Sequence, residues 1–545
     1  MKKFKINSLG LCLLLLVSSG CTDDLNTVPK DHKKNIDQLI ALDPNLSGIV
    51  SKVYGTFALS GASGPKSTDT PGDDPGESPF LRGIINMQDF TADDMKNRWG
   101  DGGLDPLTTT SGWDDGNKFI RYTYNRIFYT ITQSNQVIGQ MSAFNVSNSI
   151  QVVGEMKFLR ALAYFYLIDC FGKGPILTEA DLGLKGGKDE STRIEIFNFI
   201  EKDLLEIESI IPPFIDYGRT NKAAVRMLLA KLYLNAEVYT GTNVRPVSSP
   251  NAGKNTYELA RIYSNLVINE GGFKLANNFR SLFSGDNNVT DAKNEIIYAL
   301  IADPYRSQSY GNTTYLINGS LSDQTMAPTD FGNPGGDGNA WSGHRATKNW
   351  YGLFGASPEA LASSSDDRAK LFWTNYLDPN PARRHSFEMN DFRKWTDGYP
   401  SIKFTNSNFI GSTIPTEFSG TDFPLYRLAD AYLMYAESVL RGGGGSTALA
   451  LDYVNAVRTR SNAAAIDFDE LTLDFILDER ARELNFEGHR RTDLIRYGKF
   501  TGGSYLWPWK GGAKDGTAIP DHYNLFPIPL KALQANPKLT PQFGY

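Results

Sequence analysis

Apolar residues recur at helical spacing in several segments of the chain. The six-residue pattern Leu-Ala-x-x-Tyr-Leu appears three times, at 162–167, 229–234 and 428–433. Its first leucine, its tyrosine and its second leucine fall at i, i+4 and i+5, which share one side of a helix, and its small alanine lets a second helix approach closely. We therefore predict helices at three places, namely 151–171, 221–239 and 426–441.

The last two of these segments are each followed by a loop and a second amphipathic run, at 256–269 and 447–460. Helix pairs with Leu, Ala and Tyr at fixed places are typical of tetratricopeptide (TPR) units, although any helical bundle can carry the same pattern. The irregular spacing of the copies indicates helix pairs separated by insertions. We expect a mostly α-helical fold in which TPR-like pairs form a right-handed superhelical scaffold with little β-structure.

Irregular segments separate the helical blocks. Four of them combine Gly, Pro, Ser and Asp with scattered aromatic residues, at 61–83, 99–116, 303–343 and 378–422. Long ordered loops in compact proteins usually carry function. We therefore expect the helices to be the scaffold and the loops to carry the ligand site.

The N-terminus has the features of an export leader. Lysines near the start precede an apolar run over 9–17, which is long enough for a signal-peptide core and too short to span a bilayer. Two serines and a glycine follow, and then Cys21, in a pattern that resembles a bacterial lipobox with Ser18 where leucine is usual. We expect residues 1–20 to be removed and Cys21 to carry lipid. The alternative is an ordinary signal peptide followed by a chance cysteine.

Composition narrows the function. The net charge is −6 and the sequence has no basic block, so we do not expect a nucleic-acid partner. Of the three cysteines, Cys12 leaves with the leader and Cys21 takes lipid, so Cys170 has no partner for an internal disulfide. We predict that Cys170 is a buried structural thiol. With five histidines and no paired Cys/His spacing, we expect no metal site and no cofactor.

Five segments together resemble one protein family. They read EMKFLRALAYFYLIDCFGKGPIL (155–177), GRTNKAAVRMLLAKLYLNAEVYTG (218–241), TDFPLYRLADAYLMYAESVLRGG (421–443), LDERARELNFEGHRRTDLIRYGKF (477–500) and LFPIP (525–529). In the first, Gly-Lys-Gly-Pro replaces the usual Gly-Asp-Val-Pro. The chain resembles the SusD/RagB family of outer-membrane nutrient-binding lipoproteins over nearly its whole mature length. The segments 341–347 and 505–512 are most similar to the starch-binding founder of the family.

This resemblance implies a helical fold with four TPR-like units, divided into an N-terminal region (21–240) and a C-terminal region (241–545) of one compact unit. It implies that the protein binds oligosaccharides, starch-derived malto-oligosaccharides in particular, and has no catalytic activity. It also implies a SusC-like TonB-dependent β-barrel transporter as partner. The lipid on Cys21 would anchor the protein in the outer membrane. The two aspartates behind Cys21 resemble the export signal that places such lipoproteins on the cell surface.

Three aromatic residues match the sugar-binding arc of the starch-binding member. Trp99, Tyr310 and Trp341 lie among polar, loop-forming residues, whereas a core aromatic residue more often sits in an apolar run. Sugars need aromatic faces for their C–H surfaces and polar groups for their hydroxyls. Tyr305 or Tyr315 could replace Tyr310, because the intervening loop differs in length. The alternative role for each ring is a partly buried loop anchor.

Arg82 and Asp74 fall in the loop ahead of Trp99 and match positions that contact glucose hydroxyls. Arginine offers several donors in a rigid fork and aspartate only accepts, so the pair could recognise neighbouring hydroxyls. Both could instead be charges that stabilise the loop.

The densest charge cluster lies at 478–491. Glu479, Glu483 and Glu487 would share one face of a helix, with His489 close by. We interpret the cluster as a structural ion-pair network and His489 as a hydrogen-bonded member of it. The oxygen-rich segment 284–295 has side chains that could hold calcium, but it lacks the EF-hand pattern, so we predict a loop there.

Three classes of function remain open at this stage. A surface glycan-binding lipoprotein fits the resemblance, and the same role could serve another glycan or a peptide nutrient. A lipid-anchored glycoside hydrolase would need two carboxylates across a cleft. A protein-interaction scaffold would bind the barrel partner but no sugar.

Overall fold

Helices dominate the computed structural model, which describes residues 47–143, 149–214, 216–336 and 338–545. Residues 49–545 form one compact unit, and the region boundary at residue 240 stays a prediction. The leader and Cys21 lie outside the described residues. Among the described residues there are seventeen α-helices, α1 to α17 in order: Ser47–Ala58, Phe80–Gln88, Leu104–Thr108, Lys118–Ala143, Ser149–Cys170, Arg193–Glu208, Lys222–Leu234, Ala236–Thr240, Thr256–Glu270, Thr313–Ser320, Lys348–Tyr351, Pro358–Ser363, Leu428–Leu440, Thr447–Arg460, Leu473–Leu484, Arg490–Arg496 and Leu530–Ala535.

The repeated Leu-Ala-x-x-Tyr-Leu pattern lies in α5, α7 and α13, and every residue of it that the pattern fixes is buried except the half-buried Tyr432. The ring of Tyr432 stacks on Tyr453 of α14, with centroids 4.5 Å apart. Helix α7 begins where the side chain of Asn221 accepts a hydrogen bond from the amide of Ala224. The predicted helix 221–239 is broken at Asn235, whose amide bonds the carbonyl of Lys231.

Helices that are near in sequence pack on one another in succession. The packed pairs are α4 with α5, α5 with α6, α6 with α7, α7 with α9, α9 with α13, and α13 with α14. The prediction of a mostly α-helical fold built from packed helix pairs is confirmed.

Four short strands form two antiparallel pairs in the described part of the chain. Strand β1 (Met95–Asn97) pairs with β3 (His344–Ala346), with Asn97 opposite His344. Strand β2 (Ile296–Leu300) pairs with β4 (Phe423–Arg427), and this pairing is why α13 begins at Leu428, two residues later than predicted.

The loop prediction for 61–83 is wrong at its C-terminal end. Helix α2 begins at Phe80, directly after Pro79, so Arg82 lies in the first turn of a helix. Proline fixes its own φ and is compatible with a helix start, and all nine residues of α2 are buried. The Gly- and Pro-rich composition of 61–79 obscured this start. Helices α3 and α10 likewise lie within segments predicted as loop.

The charge cluster is a buried ion-pair network, as predicted. Glu483 is fully buried and accepts hydrogen bonds from Arg427 at 2.9 Å, Arg368 at 3.0 Å and Arg460 at 2.5 Å. Burial disfavours its charge, but the three guanidinium groups outweigh burial and hold its pKa well below the usual value. One carboxylate therefore joins β4, α14, α15 and the segment around 368.

Two details of this region differ from the prediction or extend it. Helix α15 ends at Leu484, so Glu487 lies beyond the helix and binds Arg427 and Lys403 from a turn in which Phe486 has φ +60°. His489 is buried, and burial and Lys231 lower its pKa to about 3, so the ring is neutral at physiological pH. Its Nδ1 lies 3.3 Å from the ammonium of Lys231.

Three further observations concern cysteine, metal and membrane. Cys170 is free and buried, as predicted, and burial raises the pKa of its thiol. No group of three or more acidic, His or Cys side chains in the described residues is arranged to hold a metal ion. Within the same residues, no helix is both long enough and apolar enough to cross a bilayer.

We expect Glu483→Gln to lower the free energy of unfolding by about 3–5 kcal/mol, because it leaves three buried guanidinium groups short of one negative charge. Guanidinium denaturation followed by far-UV circular dichroism measures this loss.

The matched control is Glu388→Gln, which removes one partner of the exposed Lys348–Glu388 pair and should cost less than ~1 kcal/mol. Equal losses in the two variants would contradict a structural role for Glu483.

Candidate functional site

An open cleft of about 640 Å³ contains the predicted aromatic residues. We call it the aromatic cleft. Its walls come from the loop before α2, the loop after β1 and the loops on either side of α10. The lining residues are Gly76, Glu77, Arg82, Arg98, Trp99, Gly100, Asp101, Tyr310 and Trp341.

Strand pairing places the two tryptophans. The β1–β3 ladder continues beyond the pair Asn97 and His344, because the backbone amide of Arg98 donates to the carbonyl of Gly343 at 3.1 Å. Trp99 and Trp341 therefore lie together at the open end of the ladder, although 242 residues separate them. The indole Nε1 of Trp99 donates to the carbonyl of Trp341 at 3.0 Å. The two ring centroids are 6.0 Å apart and the ring planes meet at 62°.

Close backbone approach fixes the position of the Trp99 ring. A Cβ atom at Gly343 would lie 2.3 Å from the indole, so only glycine leaves room for the ring. Behind the indole lie the buried rings of Tyr315 and His344, at centroid distances of 5.8 and 5.0 Å. Burial and Arg82 lower the pKa of His344 well below its usual value, so the ring behind Trp99 is neutral.

Tyr310 is the tyrosine that the structure brings beside Trp341. Its ring centroid lies 6.4 Å from that of Trp341 at an angle of 50°, and it packs on Phe418 at 4.9 Å. Its hydroxyl donates to Glu417 at 2.8 Å, and burial together with this carboxylate raises its pKa. Tyr315 is buried below Trp99 and donates to Asn86, whereas Tyr305 is exposed in a different cleft.

Arg82 reaches the aromatic cleft from helix α2. Its guanidinium lies over the ring of Tyr315 at 4.7 Å and that of Trp99 at 5.8 Å. It donates to the carbonyl of Gly76 at 3.2 Å and lies 3.8 Å from Asp101. Arg82 lines the cleft and donates one hydrogen bond to Gly76, so its terminal guanidinium nitrogens keep further donor capacity there.

Asp74 is exposed at the edge and is not among the lining residues. Its carboxylate accepts hydrogen bonds from the amides of Gly76 and Glu77, at 2.8 and 2.9 Å, and so holds the turn that forms one wall. These contacts fit the loop-stabilising alternative, and a contact from Asp74 to sugar stays a prediction.

Four charged residues near the rings were not predicted from the sequence. Arg98 and Asp101 flank Trp99 and could have been found by that proximity. Glu77, which pairs with Lys118 at 2.8 Å, and Glu417 carry no sequence signal of their own. One open cleft is thus surrounded by inclined aromatic faces, guanidinium donors and carboxylate acceptors. These three kinds of group are the ones that bind a polyhydroxylated ligand.

Comparisons with known proteins agree over the whole chain. A model described as the SusD family matches residues 294–545, and one described as "Starch-binding associating with outer membrane" matches residues 78–234. The chain is 31% identical to the starch-binding protein SusD of Bacteroides thetaiotaomicron, over 98% of each chain.

Solved structures share the fold. A SusD superfamily protein from Parabacteroides distasonis is similar with a TM-score of 0.69 and 22% identity, covering 94% of this chain and 100% of that one. Surface glycan-binding protein A from Bacteroides thetaiotaomicron, in complex with laminarihexaose, has a TM-score of 0.66 and 19% identity, covering 92% and 99%.

Buried carboxyl groups lie directly before the strand that leads to Trp99. Asp93 accepts two hydrogen bonds from Arg490, and this partner outweighs burial and lowers the pKa of Asp93. Burial, followed by the charge of Asp93, raises the pKa of Asp94 to about 7. Burial and Asp94 raise the pKa of Asp89 as well. Asp89 and Asp94 therefore share a proton under the start of β1.

This pair makes stability depend on pH. Both folded-state pKa values lie above the unfolded value, so the stabilisation is fully present below pH ~4 and is lost as pH rises through about 7. We expect Asp89→Asn, which mimics the protonated carboxyl, to reduce the fall in free energy of unfolding between pH 4 and pH 7. Urea denaturation across that range tests this.

Asp515→Asn, in an exposed turn, is the control and should leave the pH profile unchanged. A profile for Asp89→Asn as steep as that of the native protein would show that the two carboxyl groups do not share a proton.

Proposed function

This chain belongs to the SusD family of glycan-binding proteins, and from that premise we propose that it captures starch-derived malto-oligosaccharides in the aromatic cleft and delivers them to a SusC-like TonB-dependent β-barrel transporter. The proteins of this family bind carbohydrate and are not enzymes. The cleft would hold the oligosaccharide, and the chemistry of the sugar would be unchanged.

The observation that carries this proposal is the arrangement of the three rings. Trp99 and Trp341 meet at 62°, and Trp341 and Tyr310 at 50°, so neighbouring rings of the cleft are inclined to one another. An α-1,4-linked glucan curves, so its successive sugar faces also turn. A flat ligand would match coplanar rings better, and angled rings favour the curved chain.

Polar groups supply contacts to the hydroxyls. Arg82 and Arg98 offer guanidinium donors, and Asp101 offers a half-exposed carboxylate on the same side as Trp99. Binding energy would come mainly from the apolar sugar faces, because hydroxyl groups exchange hydrogen bonds with water for hydrogen bonds with protein at little net gain. The polar groups would then decide which sugar fits.

Two findings support starch as the glycan. The relative with 31% identity over 98% of both chains is named a starch-binding protein, and one matching family model carries starch binding in its description. The neighbour in complex with laminarihexaose is 19% identical and shares the fold, so its ligand belongs to that protein.

The proposed place of action is the outer face of the outer membrane. It rests on Cys21 behind a leader-like segment and on the family description "associating with outer membrane". Lipid on Cys21 would hold the protein at the membrane without a spanning helix. From there the bound oligosaccharide could be transferred to a barrel transporter beside it.

We expect the double change Trp99→Ala and Trp341→Ala to weaken binding of maltoheptaose by at least 100-fold, because two stacking contacts of about 1–2 kcal/mol each are lost together with the shape of the cleft. Isothermal titration calorimetry on the purified protein measures this, with laminarihexaose and an inulin-type fructan titrated in parallel.

The control removes two strongly exposed aromatic residues outside the cleft, Phe214→Ala with Phe543→Ala, and should bind like the native protein. Heat with laminarihexaose or fructan alone would reject starch and keep the glycan-binding role. Unchanged maltoheptaose affinity in the tryptophan double variant, with circular dichroism unaltered, would place the site elsewhere.

We expect Cys21→Ser to prevent lipid attachment, so that the protein moves from the membrane fraction to the soluble fraction and no longer copurifies with a barrel transporter from detergent-solubilised membranes. Radiolabelled palmitate incorporation and fractionation measure the two effects. Persistence of Cys21→Ser in the membrane fraction with full label would place the lipid on another residue.

A further inference from the structure

A second cleft lies beside the aromatic cleft and is not used by the proposed function. Its volume is about 330 Å³, and its walls come from the segments 285–288, 302–305 and 406–420. We call it the amide cleft. We propose that it is a second carbohydrate-binding site, which takes neutral sugar units of the same glycan; this rests on the proposed function of the aromatic cleft.

The two clefts share their walls. Tyr310 lies in the aromatic cleft, and Tyr305, five residues earlier on the same loop, lines the amide cleft. On the facing segment, Thr416 lines the amide cleft, whereas the next residue, Glu417, binds the hydroxyl of Tyr310. The two clefts are therefore built on the same pair of chain segments.

The lining chemistry suits a neutral polyhydroxylated ligand. Amide and hydroxyl side chains dominate it, namely Asn288, Asn406, Asn408, Ser412, Thr413 and Thr416. Such groups both donate and accept, as sugar hydroxyls do. Asn406 and Thr416 are bonded to each other and to neighbouring carbonyls, so the contacts to sugar would come from the other four. None of the lining residues is cationic, and the one carboxylate, Asp303, already accepts the amides of Tyr305 and Arg306, each at 2.8 Å. An anionic ligand would meet no positive charge here.

Apolar surface is present beside these polar groups. The side chain of Tyr305 is 72% exposed and that of Ile414 is 79% exposed, and both line the cleft. An aromatic face next to amides is the combination that a pyranose ring needs, because its C–H faces are apolar and its edge is polar.

The cleft is held in shape without a ligand. The carboxylate of Asp286 accepts the amides of Phe409 and Ile410, at 2.7 and 2.9 Å, and fixes one rim. The amide of Asn406 donates to Gly332 at 3.0 Å and to Thr416 at 2.7 Å, and so fixes the floor. Because these loops are already ordered by their own hydrogen bonds, little conformational entropy is lost when a sugar enters.

Tyr305 therefore lies outside the aromatic arc of Trp99, Tyr310 and Trp341, for which the sequence had made it an alternative to Tyr310. It would be the stacking platform of the amide cleft. A polymer that contacts both clefts would gain affinity through effective concentration even if the second site alone is weak.

The test uses the Trp99→Ala/Trp341→Ala variant, in which the aromatic cleft is disabled. Maltoheptaose is the probe, or laminarihexaose if that is the sugar that binds the native protein. We expect calorimetry to detect a remaining weak site in this variant, and hydrogen–deuterium exchange to show sugar-dependent protection of 303–306 and 408–416. Adding Tyr305→Ala should weaken that site by at least tenfold and abolish the protection.

The matched control adds Val289→Ala instead, which removes a 71% exposed side chain beside Asn288 that does not line the cleft, and the weak site should persist. In the native background, Tyr305→Ala should remove only the affinity gained from the second cleft and leave the sugar bound in the aromatic cleft. If the native protein binds the sugar but the tryptophan variant shows neither heat nor protection, the amide cleft is not a carbohydrate site and the proposed function stands. If the native protein binds none of the three sugars, both proposals fail.

Discussion

The pairing of β1 with β3 is the constraint on which the binding surface depends. Each strand contributes only three residues to this ladder, yet the ladder joins two parts of the chain more than 240 residues apart. Its register puts Asn97 opposite His344, so Trp99 and Trp341 emerge together at its open end. A slip of one residue would reverse which side chains face the cleft and separate the two rings.

Such a short ladder needs support from the rest of the molecule. The segment directly before β3 is held by α10, because the backbone amides of Trp341 and Gly343 donate to the carbonyls of Asn318 and Gly319, each at 2.7 Å. Below it lie the proton-sharing carboxyl groups of Asp89 and Asp94 and the ion pair of Asp93 with Arg490. The energy cost of burying these charges is offset by partners from distant segments, which makes the position of β1 depend on the closed fold.

In this protein the helices form the scaffold and the loops form the clefts. The packed pairs from α4 to α14 bury nearly all of the repeated leucine, alanine and tyrosine residues. Both clefts lie instead among the segments inserted between helices, where aromatic rings are half-buried and amides are accessible. Hydrogen bonds to the carboxylates of Asp74 and Asp286, and from the side-chain amide of Asn406, order these loops before any ligand arrives, which lowers the entropy cost of binding.

The sequence alone determined the features that depend on local spacing and composition. Helical periodicity located α5, α7, α9, α13 and α14, and the polar surroundings of Trp99 and Trp341 marked them as surface rings rather than core. Tertiary structure alone decided which tyrosine stands beside Trp341, that Arg82 reaches the cleft from a helix, and that Glu487 lies beyond the end of α15. It also brought Glu417 to Tyr310. These placements depend on loop paths and on partners far apart in the chain, whereas periodicity and composition describe only near neighbours.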